Sequence, residues 1–269
     1  MLLSLLPRLT LSCGAIIRWH LVRAVVRNCR PRFKGWCAMD VGCGRGEYSL
    51  WISRLPGVNR VVGLDEMDGD QAGEFLDLPV AVAKKVVLIP ARFDRRVVRD
   101  YTPFDLILCV DVLEHILDDS GFLADIAECA SRDALLILHV PARPQWHPVA
   151  SARRELERQL LPGVGQHVRE GYSAEEIHAL LAKAGWIAHS VKATFGWAGA
   201  LVCDVDYSLS LKGLRWLLVR AVLAPLSLLA SLYEMKCGTE RGNGWLVVSR
   251  RSAMTSCGAT ATTKRAPDA

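Results

Sequence analysis

The sequence predicts an α/β protein with a doubly wound, mostly parallel seven-stranded sheet and helices on both faces. Short, nearly continuous apolar runs alternate with helix-forming stretches, which is typical of parallel strands covered by helices. The first run ends in an acid, Asp40, and three glycines follow it at alternate positions, Gly42, Gly44 and Gly46. This pattern indicates a strand that enters a tight loop at the edge where such sheets bind ligands.

Each further strand is predicted from an apolar run that stops at an acid, a proline or a turn. The predicted strands are the run that ends at residue 40, then 60–65, 86–89, 104–110, 134–140, 188–195 and 244–249. Ligands of doubly wound sheets bind beyond the carboxyl ends of the strands. Asp40, Asp65, Asp111 and His139 fall at these ends, so they are candidates for a functional site.

The glycine loop favours a ligand other than a dinucleotide. Its spacing is Gly-x-Gly-x-Gly, whereas the dinucleotide fingerprint is Gly-x-Gly-x-x-Gly, with a pyrophosphate at the helix N-terminus. Asp40 would repel a pyrophosphate and suits a cationic or amine-bearing cofactor; a purely structural turn is the alternative. Asp65, at the end of the second strand, is placed to accept hydrogen bonds from ribose hydroxyls, although a turn or helix-capping aspartate would have the same pattern.

Six segments of the chain together resemble one known family. They are residues 40–46, Asp65, 104–105, 111–115, 167–173 and 184–186. They are similar to the class I S-adenosylmethionine-dependent methyltransferases, and most similar to the broad bacterial group that modifies small molecules, sugars and lipids. The resemblance covers the middle of the chain and the final strand. It implies a Rossmann-like sheet and S-adenosylmethionine as the cofactor, and it does not specify the methyl acceptor.

The resemblance also implies a role for each acid at the predicted site. The three loop glycines would let the backbone run along the cofactor, Asp40 would lie near its amino group, and Asp65 would hold its ribose hydroxyls. Asp111 would face the methionine part or the substrate. The family often has an aspartate after the third strand that contacts the adenine amino group. Arg92 stands in that segment here, and Asp94 is the candidate for this contact.

Histidines are the candidates for acid–base chemistry. Methyl transfer from a sulfonium is an in-line displacement that needs an aligned nucleophile, and a hydroxyl nucleophile benefits from a general base. His139 lies at a strand end, and His167 lies in one of the segments that resemble the family, so we select these two as catalytic candidates; packing roles are the alternative. His115 is expected to begin or cap a helix, and His147 lies in a proline-rich loop that could close over a substrate.

Composition and length predict one elaborated domain. The chain has 269 residues, 51% of them apolar, which is enough for one large core. We expect a helical arm over residues 1–34, a methyltransferase domain over 35–251 with a helical insertion at 208–236, and a disordered tail over 252–269. The nine cysteines are scattered without the spacing of a zinc site, so we predict no metal site and a reducing, cytoplasmic location.

The N-terminal arm is predicted to form an amphipathic basic helix. His20, Arg23, Arg27 and Arg30 recur at helical spacing along one face. Such a helix can pack over the cofactor cleft as a lid or lie on an anionic membrane, and the sequence leaves both interpretations open.

The insertion at 208–236 is predicted to be a helical hairpin with a wet side and an apolar side, broken or bent at Pro225. The wet side would carry Lys212, Arg215, Arg220, Ser227, Ser231 and Glu234, and the apolar side Leu214, Leu217, Leu218, Val222, Leu228, Leu229 and Leu232. We expect it to lie on the membrane surface or to wall a hydrophobic substrate pocket; packing on the core or in a dimer interface is the alternative.

Three functional hypotheses follow. The first is a methyltransferase for a hydrophobic or lipid-linked acceptor, such as a quinone precursor or a polyprenyl-linked glycan, with peripheral contact to the inner face of the membrane. The second is a methyltransferase for a soluble metabolite or natural product. The third is a silent relative that binds only the cofactor or a partner protein. The net charge of +5 is modest and lacks the aromatic–basic interleaving of RNA-binding modules, so we expect no nucleic-acid partner.

Overall fold

The computed structural model describes residues 12–66, 84–149, 167–209 and 214–252, with the backbone alone at 214–218. Its seven strands form one sheet in the order β3-β2-β1-β4-β5-β7-β6. They are β1 (Trp36–Val41), β2 (Val58–Asp65), β3 (Val86–Pro90), β4 (Phe104–Val110), β5 (Ala130–Pro141), β6 (Trp186–Thr194) and β7 (Gly244–Arg251). Strands β1 to β5 are parallel, and β7 runs antiparallel to both of its neighbours. The predicted doubly wound, mostly parallel sheet is confirmed.

Helices cover both faces of this sheet and create two apolar layers. They are α1 (Cys13–Cys29), α2 (Glu47–Ile52), α3 (Arg95–Val98), α4 (Asp119–Glu128), α5 (Ala174–Lys183), α6 (Trp197–Ser208) and α7 (Leu214–Cys237). Side chains from α4 and α5 pack on one face, and side chains from α1, α2, α6 and α7 pack on the other. The strand order reverses between β1 and β4, and this switch point is where ligands of such sheets bind.

Helix α1 is part of the folded domain. It begins after Ser12, whose hydroxyl accepts the backbone N–H of Ala15 at 3.3 Å, and it packs against α6 and α7. Arg23 of the predicted basic face lies over the rings of Trp19 and Trp51, 4.9 and 5.0 Å from their centroids. Part of that face therefore covers aromatic side chains within the protein, and contact of the arm with a membrane stays a prediction.

The predicted wet side of residues 208–236 is wrong, because three of the side chains assigned to it face inward. Ser227, Ser231 and Glu234 are buried, whereas Val222 and Leu229 of the predicted apolar side are 66% and 60% exposed. Local hydrogen bonds make this arrangement possible. The hydroxyl of Ser227 donates to the carbonyl of Leu223 at 2.9 Å, and that of Ser231 donates to the carbonyl of Leu228 at 2.7 Å. Small, internally bonded side chains let α7 approach its neighbours closely.

Arg220 shows how α7 is joined to the domain. Its Nε donates to the carboxylate of Asp206 on α6 at 2.8 Å, and the same carboxylate accepts the backbone N–H of Cys13 at 3.0 Å. One aspartate therefore links α1, α6 and α7. The helix also continues through Pro225, so the expected break is absent.

The inward turn of the polar side chains leaves an apolar surface on α7, which we call the outer face of α7. Its exposed side chains are Val222, Leu226, Leu229, Leu232, Tyr233 and Met235. Over the described ranges, no helix combines the length and the hydropathy needed to cross a bilayer. The tail predicted as disordered lies outside the described residues beyond Ser252.

Candidate active site

A cleft of about 490 Å³ opens beside the glycine loop at the switch point of the sheet. We call it the glycine-loop cleft. Its walls combine acids and apolar side chains from the ends of four parallel strands and the segments that follow them. They include Gly42, Leu64, Asp65, Phe93, Asp111, Val112, His115, Ile116 and Phe122. The predicted acids Asp65 and Asp111 and one loop glycine thus meet in one place.

The loop itself has a shape that only glycine permits at its first position. Gly42 has a φ of +69°, and a Cβ built there would lie 2.2 Å from Cγ2 of Val112. The carboxylate of Asp65 accepts the backbone N–H of Gly44 at 2.6 Å, which fixes the loop to the end of β2. A Cβ at Gly44 would meet no atom within 4 Å, so the loop presents bare backbone to open space there.

Asp40 lies beneath this loop and is 1% exposed. The hydroxyl of Ser49 donates to its carboxylate at 2.7 Å. Burial raises the pKa of Asp40 to about 7, although the hydrogen bonds from Ser49 act in the opposite direction. Asp40 is not among the side chains that line the glycine-loop cleft, and its contact with the cofactor amino group stays a prediction.

Asp94 occupies a different local environment from the other acids. It is exposed and caps α3, where its carboxylate accepts the backbone N–H of Arg96 at 2.7 Å. Ala91, Arg92 and Phe93 line the cleft, and Asp94 does not. A contact of Asp94 with adenine therefore stays a prediction, and the geometry supports only its capping role.

A second cavity of about 350 Å³ adjoins the first, and Asp111 and His115 line both. We call it the histidine cavity because four imidazoles reach it. Its polar and ionisable lining residues include Arg18, Asp111, Glu114, His115, His139, His147, His167, Asp204 and Tyr207. Both predicted catalytic histidines lie here, beside the expected position of the methyl donor. Arg18 comes from the predicted arm, so α1 completes this cavity.

Asp111 is the charged centre of this arrangement. Its φ is +53°, in the left-handed region that non-glycine residues seldom adopt. Its carboxylate forms an ion pair with Arg18 and lies 2.6 Å from Nδ1 of His139. Burial acts to raise the pKa of Asp111, but the charge of Arg18 and the contact with His139 outweigh it and hold this pKa at about 2. Asp111 is therefore ionised at neutral pH.

His139 is held on both sides. Its Nδ1 contacts Asp111, its Nε2 lies 3.1 Å from the hydroxyl of Thr194, and the residue is 2% exposed. The ring of Phe195 lies edge-on to it with centroids 5.8 Å apart. Since both nitrogens already have protein partners, this geometry favours a positioning role for His139, and its role as a base stays a prediction.

The second predicted histidine belongs to a compact cluster. The rings of His167 and His115 meet edge to face, with centroids 4.5 Å apart. Burial and the neighbouring His115 lower the pKa of His167, whereas burial and the charge of Asp111 raise the pKa of Glu114 to about 8. Ligand atoms of Glu114, His115 and His167 lie within 4.8 Å of one another, so the cluster could hold a divalent cation. The sequence spacing alone did not suggest this group.

A second histidine–carboxylate pair faces the same cavity. Nδ1 of His147 lies 2.9 Å from the carboxylate of Asp204 on α6. The sequence indicates the loop position of His147 but not its partner Asp204, because 57 residues separate the two and no local pattern connects them. From the helix-forming residues at 197–208, one could have predicted only that this helix turns an acid toward the core.

The histidine cavity adjoins a larger groove of about 680 Å³. Gln145, Phe195 and Asn243 line both. Three indoles, those of Trp146, Trp197 and Trp245, line the groove, and we call it the tryptophan groove. A small polar cavity thus lies beside a larger and more apolar space.

A family model described as a methyltransferase domain matches residues 18–191. Among curated relatives, the mitochondrial ubiquinone biosynthesis O-methyltransferase of Schizosaccharomyces pombe is 25% identical over 62% of this chain. The ubiquinone biosynthesis O-methyltransferase of Caulobacter sp. (strain K31) is 23% identical over 68%. The chain spans 59% of the first relative's length and 74% of the second's.

Solved structures share the fold at low identity. An S-adenosylmethionine-dependent methyltransferase from Mesorhizobium loti superposes with a TM-score of 0.53 at 20% identity, covering 89% of this chain and all of that one. A protein described as a putative sarcosine dimethylglycine methyltransferase from Galdieria sulphuraria superposes with a TM-score of 0.52 at 12% identity, covering 88% and 85%. At these identities, the likeness concerns the fold alone.

Proposed function

The chain belongs to the methyltransferase domain family, and we propose that it methylates a hydroxyl oxygen of an apolar aromatic acceptor of the quinone-precursor type. Its methyl donor is S-adenosylmethionine. One observation carries the choice of acceptor: the small polar histidine cavity adjoins the tryptophan groove and shares three lining residues with it. This shape suits a polar aromatic head attached to an apolar chain. The names of the two curated relatives support the same class of acceptor.

The glycine-loop cleft fits S-adenosylmethionine by its chemistry. The bare backbone at Gly44 lets a ligand approach closely, and Asp65 supplies a carboxylate for hydroxyl groups. Phe93 and Ile116 supply apolar walls suited to an aromatic base. When bound, the cofactor supplies an electrophilic methyl carbon on a sulfonium. Asp111, ionised and facing both cavities, would stabilise positive charge at their junction.

The acceptor side would be organised by the cavity's fixed side chains. Asp111 is held by Arg18 and His139, which restricts its carboxylate to one orientation. Such preorganisation aligns a nucleophile without a reorganisation cost at the moment of reaction. The indole of Trp197, 67% exposed at the start of α6, would cover an apolar chain in the groove.

We further propose that the outer face of α7 meets the membrane that holds such an acceptor. The carboxylate of Glu234 on α7 accepts the backbone N–H groups of Phe195 and Gly196, so this helix lies beside the start of α6. Trp197 follows directly and lines the tryptophan groove. Helix α7 therefore lies close to one wall of the groove, and contact of its outer face with a bilayer would hold the groove near a lipid-linked acceptor.

The test compares two acceptors that differ only in their tail: a catechol with a polyprenyl chain and the same catechol without it. We expect cofactor-dependent O-methylation of both, with a lower KM for the prenylated form. Trp197→Ala should raise KM for the prenylated acceptor about tenfold, the loss expected for part of an apolar contact, and leave the short acceptor unchanged. Turnover of soluble acceptors alone, with no preference for a tail, would instead support a methyltransferase for soluble metabolites.

A further inference from the structure

We propose that His147, oriented by Asp204, is the general base that removes the acceptor's hydroxyl proton. This inference rests on the proposed function, because only a hydroxyl acceptor needs to lose such a proton. It differs from the expectation drawn from the sequence, which selected His139 and His167. Three features of the histidine cavity support it. Asp204 fixes the tautomer of His147, Nε2 of His147 is accessible to a substrate, and both ring nitrogens of His139 already have protein partners.

The carboxylate of Asp204 fixes the ring of His147. Asp204 is 1% exposed, and one of its oxygens lies 2.9 Å from Nδ1 of His147. Its other oxygen accepts the backbone N–H of Val149 at 3.0 Å. An ionised carboxylate can only accept hydrogen bonds, so Nδ1 of His147 carries the proton. The neutral ring then has its lone pair on Nε2, which is the form a general base requires.

Nε2 of His147 points to a polar group that a substrate can replace. It lies 3.2 Å from Oε1 of Gln145, and Gln145 lines both the histidine cavity and the tryptophan groove. The oxygen and nitrogen of a side-chain amide are assigned from hydrogen bonding and can be exchanged. A rotation of that amide by 180° presents its N–H to the lone pair of Nε2. A hydroxyl held at the junction of the two spaces would reach the same nitrogen. Gln145 therefore marks the position that we infer for the acceptor oxygen.

The comparison with His139 separates the two candidates. His139 has a carboxylate on Nδ1 and the hydroxyl of Thr194 on Nε2, and its side chain is 3% exposed. The side chain of His147 is 12% exposed and lies on a loop over the cavity. A base must come within hydrogen-bond distance of the proton it removes. His147 can do so by exchanging Gln145 for the acceptor, whereas His139 would have to give up a partner in the sheet.

The proton transfer balances without any further reactant. The acceptor's O–H bond breaks and its proton goes to Nε2 of His147, while the oxygen bonds to the methyl carbon. The bond from that carbon to sulfur breaks, and its electron pair stays on sulfur. Asp204 keeps its negative charge throughout and stabilises the imidazolium that forms. Asp204 is thus a positioning residue, and His147 is the residue that touches the substrate.

The competing explanation is that the pair only anchors the loop at 145–149. His147→Asn separates the two roles, because the asparagine amide can still donate to Asp204 where Nδ1 does but offers no base at the position of Nε2. Asp204→Asn keeps an acceptor for the backbone N–H of Val149 and changes the partner of Nδ1. His178→Gln, at an exposed histidine of α5, is the matched control. Each variant is first checked for its thermal midpoint and for calorimetric binding of S-adenosylmethionine.

Two probe acceptors make the test specific: catechol, which is protonated in neutral assay buffer, and 4-nitrocatechol, which is largely ionised there. We expect His147→Asn to lower kcat for catechol by 10²- to 10⁴-fold, with little change in KM, and to lower kcat for 4-nitrocatechol less than tenfold. Asp204→Asn should show the same split between the probes. Equal losses on both probes, or full activity of His147→Asn on catechol, would overturn the proposal. Failure of the unmodified chain to methylate either probe would instead count against the proposed function.

Discussion

The carboxylate of Glu234 accepts the backbone N–H of Gly196 at 2.8 Å, and it also accepts that of Phe195 at 2.9 Å. A side chain near the end of α7 thereby satisfies free donors at the start of α6. Phe195, held in this way at a φ of +55°, places its ring against His139. Helix α7 is therefore connected to the centre of the histidine cavity, although six of its apolar side chains form an exposed outer face.

The first prediction concerns this connection. Glu234→Ala leaves two buried backbone donors without their acceptor, and we expect a loss of about 2–3 kcal/mol in the free energy of unfolding, as for a buried hydrogen bond to a charged group. Glu234→Gln keeps one acceptor oxygen but turns its NH2 group toward the second N–H, so it should also lose stability, though less than the alanine variant. Urea unfolding followed by circular dichroism measures both. Equal stability of the alanine variant and the parent would show that the N-terminus of α6 forms without this contact.

The second prediction concerns the loop glycine that cannot carry a side chain. Gly42→Ala places a methyl group 2.2 Å from Cγ2 of Val112 at a positive φ, so the loop must move away from the cleft. We expect binding of S-adenosylmethionine to weaken at least 30-fold by calorimetry, corresponding to about 2 kcal/mol. In the double variant Gly42→Ala/Val112→Ala, the clashing carbon of Val112 is gone but the backbone strain at position 42 remains. We therefore expect this variant to recover only part of the affinity for S-adenosylmethionine. Full recovery would mean that backbone strain at Gly42 contributes nothing.

The third prediction concerns pH. Burial raises the folded-state pKa of Asp40 from 3.8 to about 7. Between these two pKa values, the folded protein holds a proton that the unfolded chain has released. Protonated Asp40 therefore contributes its full stabilisation below pH 4, and this contribution is lost as pH rises to about 7. Asp40→Asn, which can keep the contact with Ser49, should lose this pH dependence. We expect the parent to lose about 2 kcal/mol more than the variant between pH 5 and pH 8 in urea unfolding. If the free energy of unfolding changes equally with pH in both proteins, the group that titrates is not Asp40.

The sheet and the glycine-loop cleft could be predicted from the sequence because their signals are local. Each buried strand is a continuous apolar run, and Asp65 and Asp111 stand at the ends of such runs. The orientation of α7 could not be predicted, because helical periodicity defines two faces without telling which one meets the protein. Ser227 and Glu234 face inward because hydrogen bonds to α7 itself and to α6 satisfy them.

His139 and His147 show a second limit of prediction from the sequence. Strand position predicted that His139 lies at the carboxyl end of β5, where it lines the histidine cavity, but it could not show that Asp111 and Thr194 occupy both ring nitrogens. The pair of His147 and Asp204 depends on a loop that folds back over α6, and this is a tertiary contact without a sequence period.

The last prediction concerns the outer face of α7. If this face enters the interfacial region of a bilayer, replacing Leu226 and Leu229 by Gln should abolish most flotation with liposomes of phosphatidylethanolamine and phosphatidylglycerol. Both side chains are already exposed, at 45% and 60%, so the change should leave the core and the turnover of a short catechol intact. Ile187→Gln, at an exposed apolar residue of β6 that is 52% exposed, is the control for a general loss of surface hydropathy. Recovery of the double variant with the liposomes at the parent level would reject the membrane contact. A change from dimer to monomer in light scattering, without lipid binding by the parent, would instead identify this face as a contact between two copies of the chain.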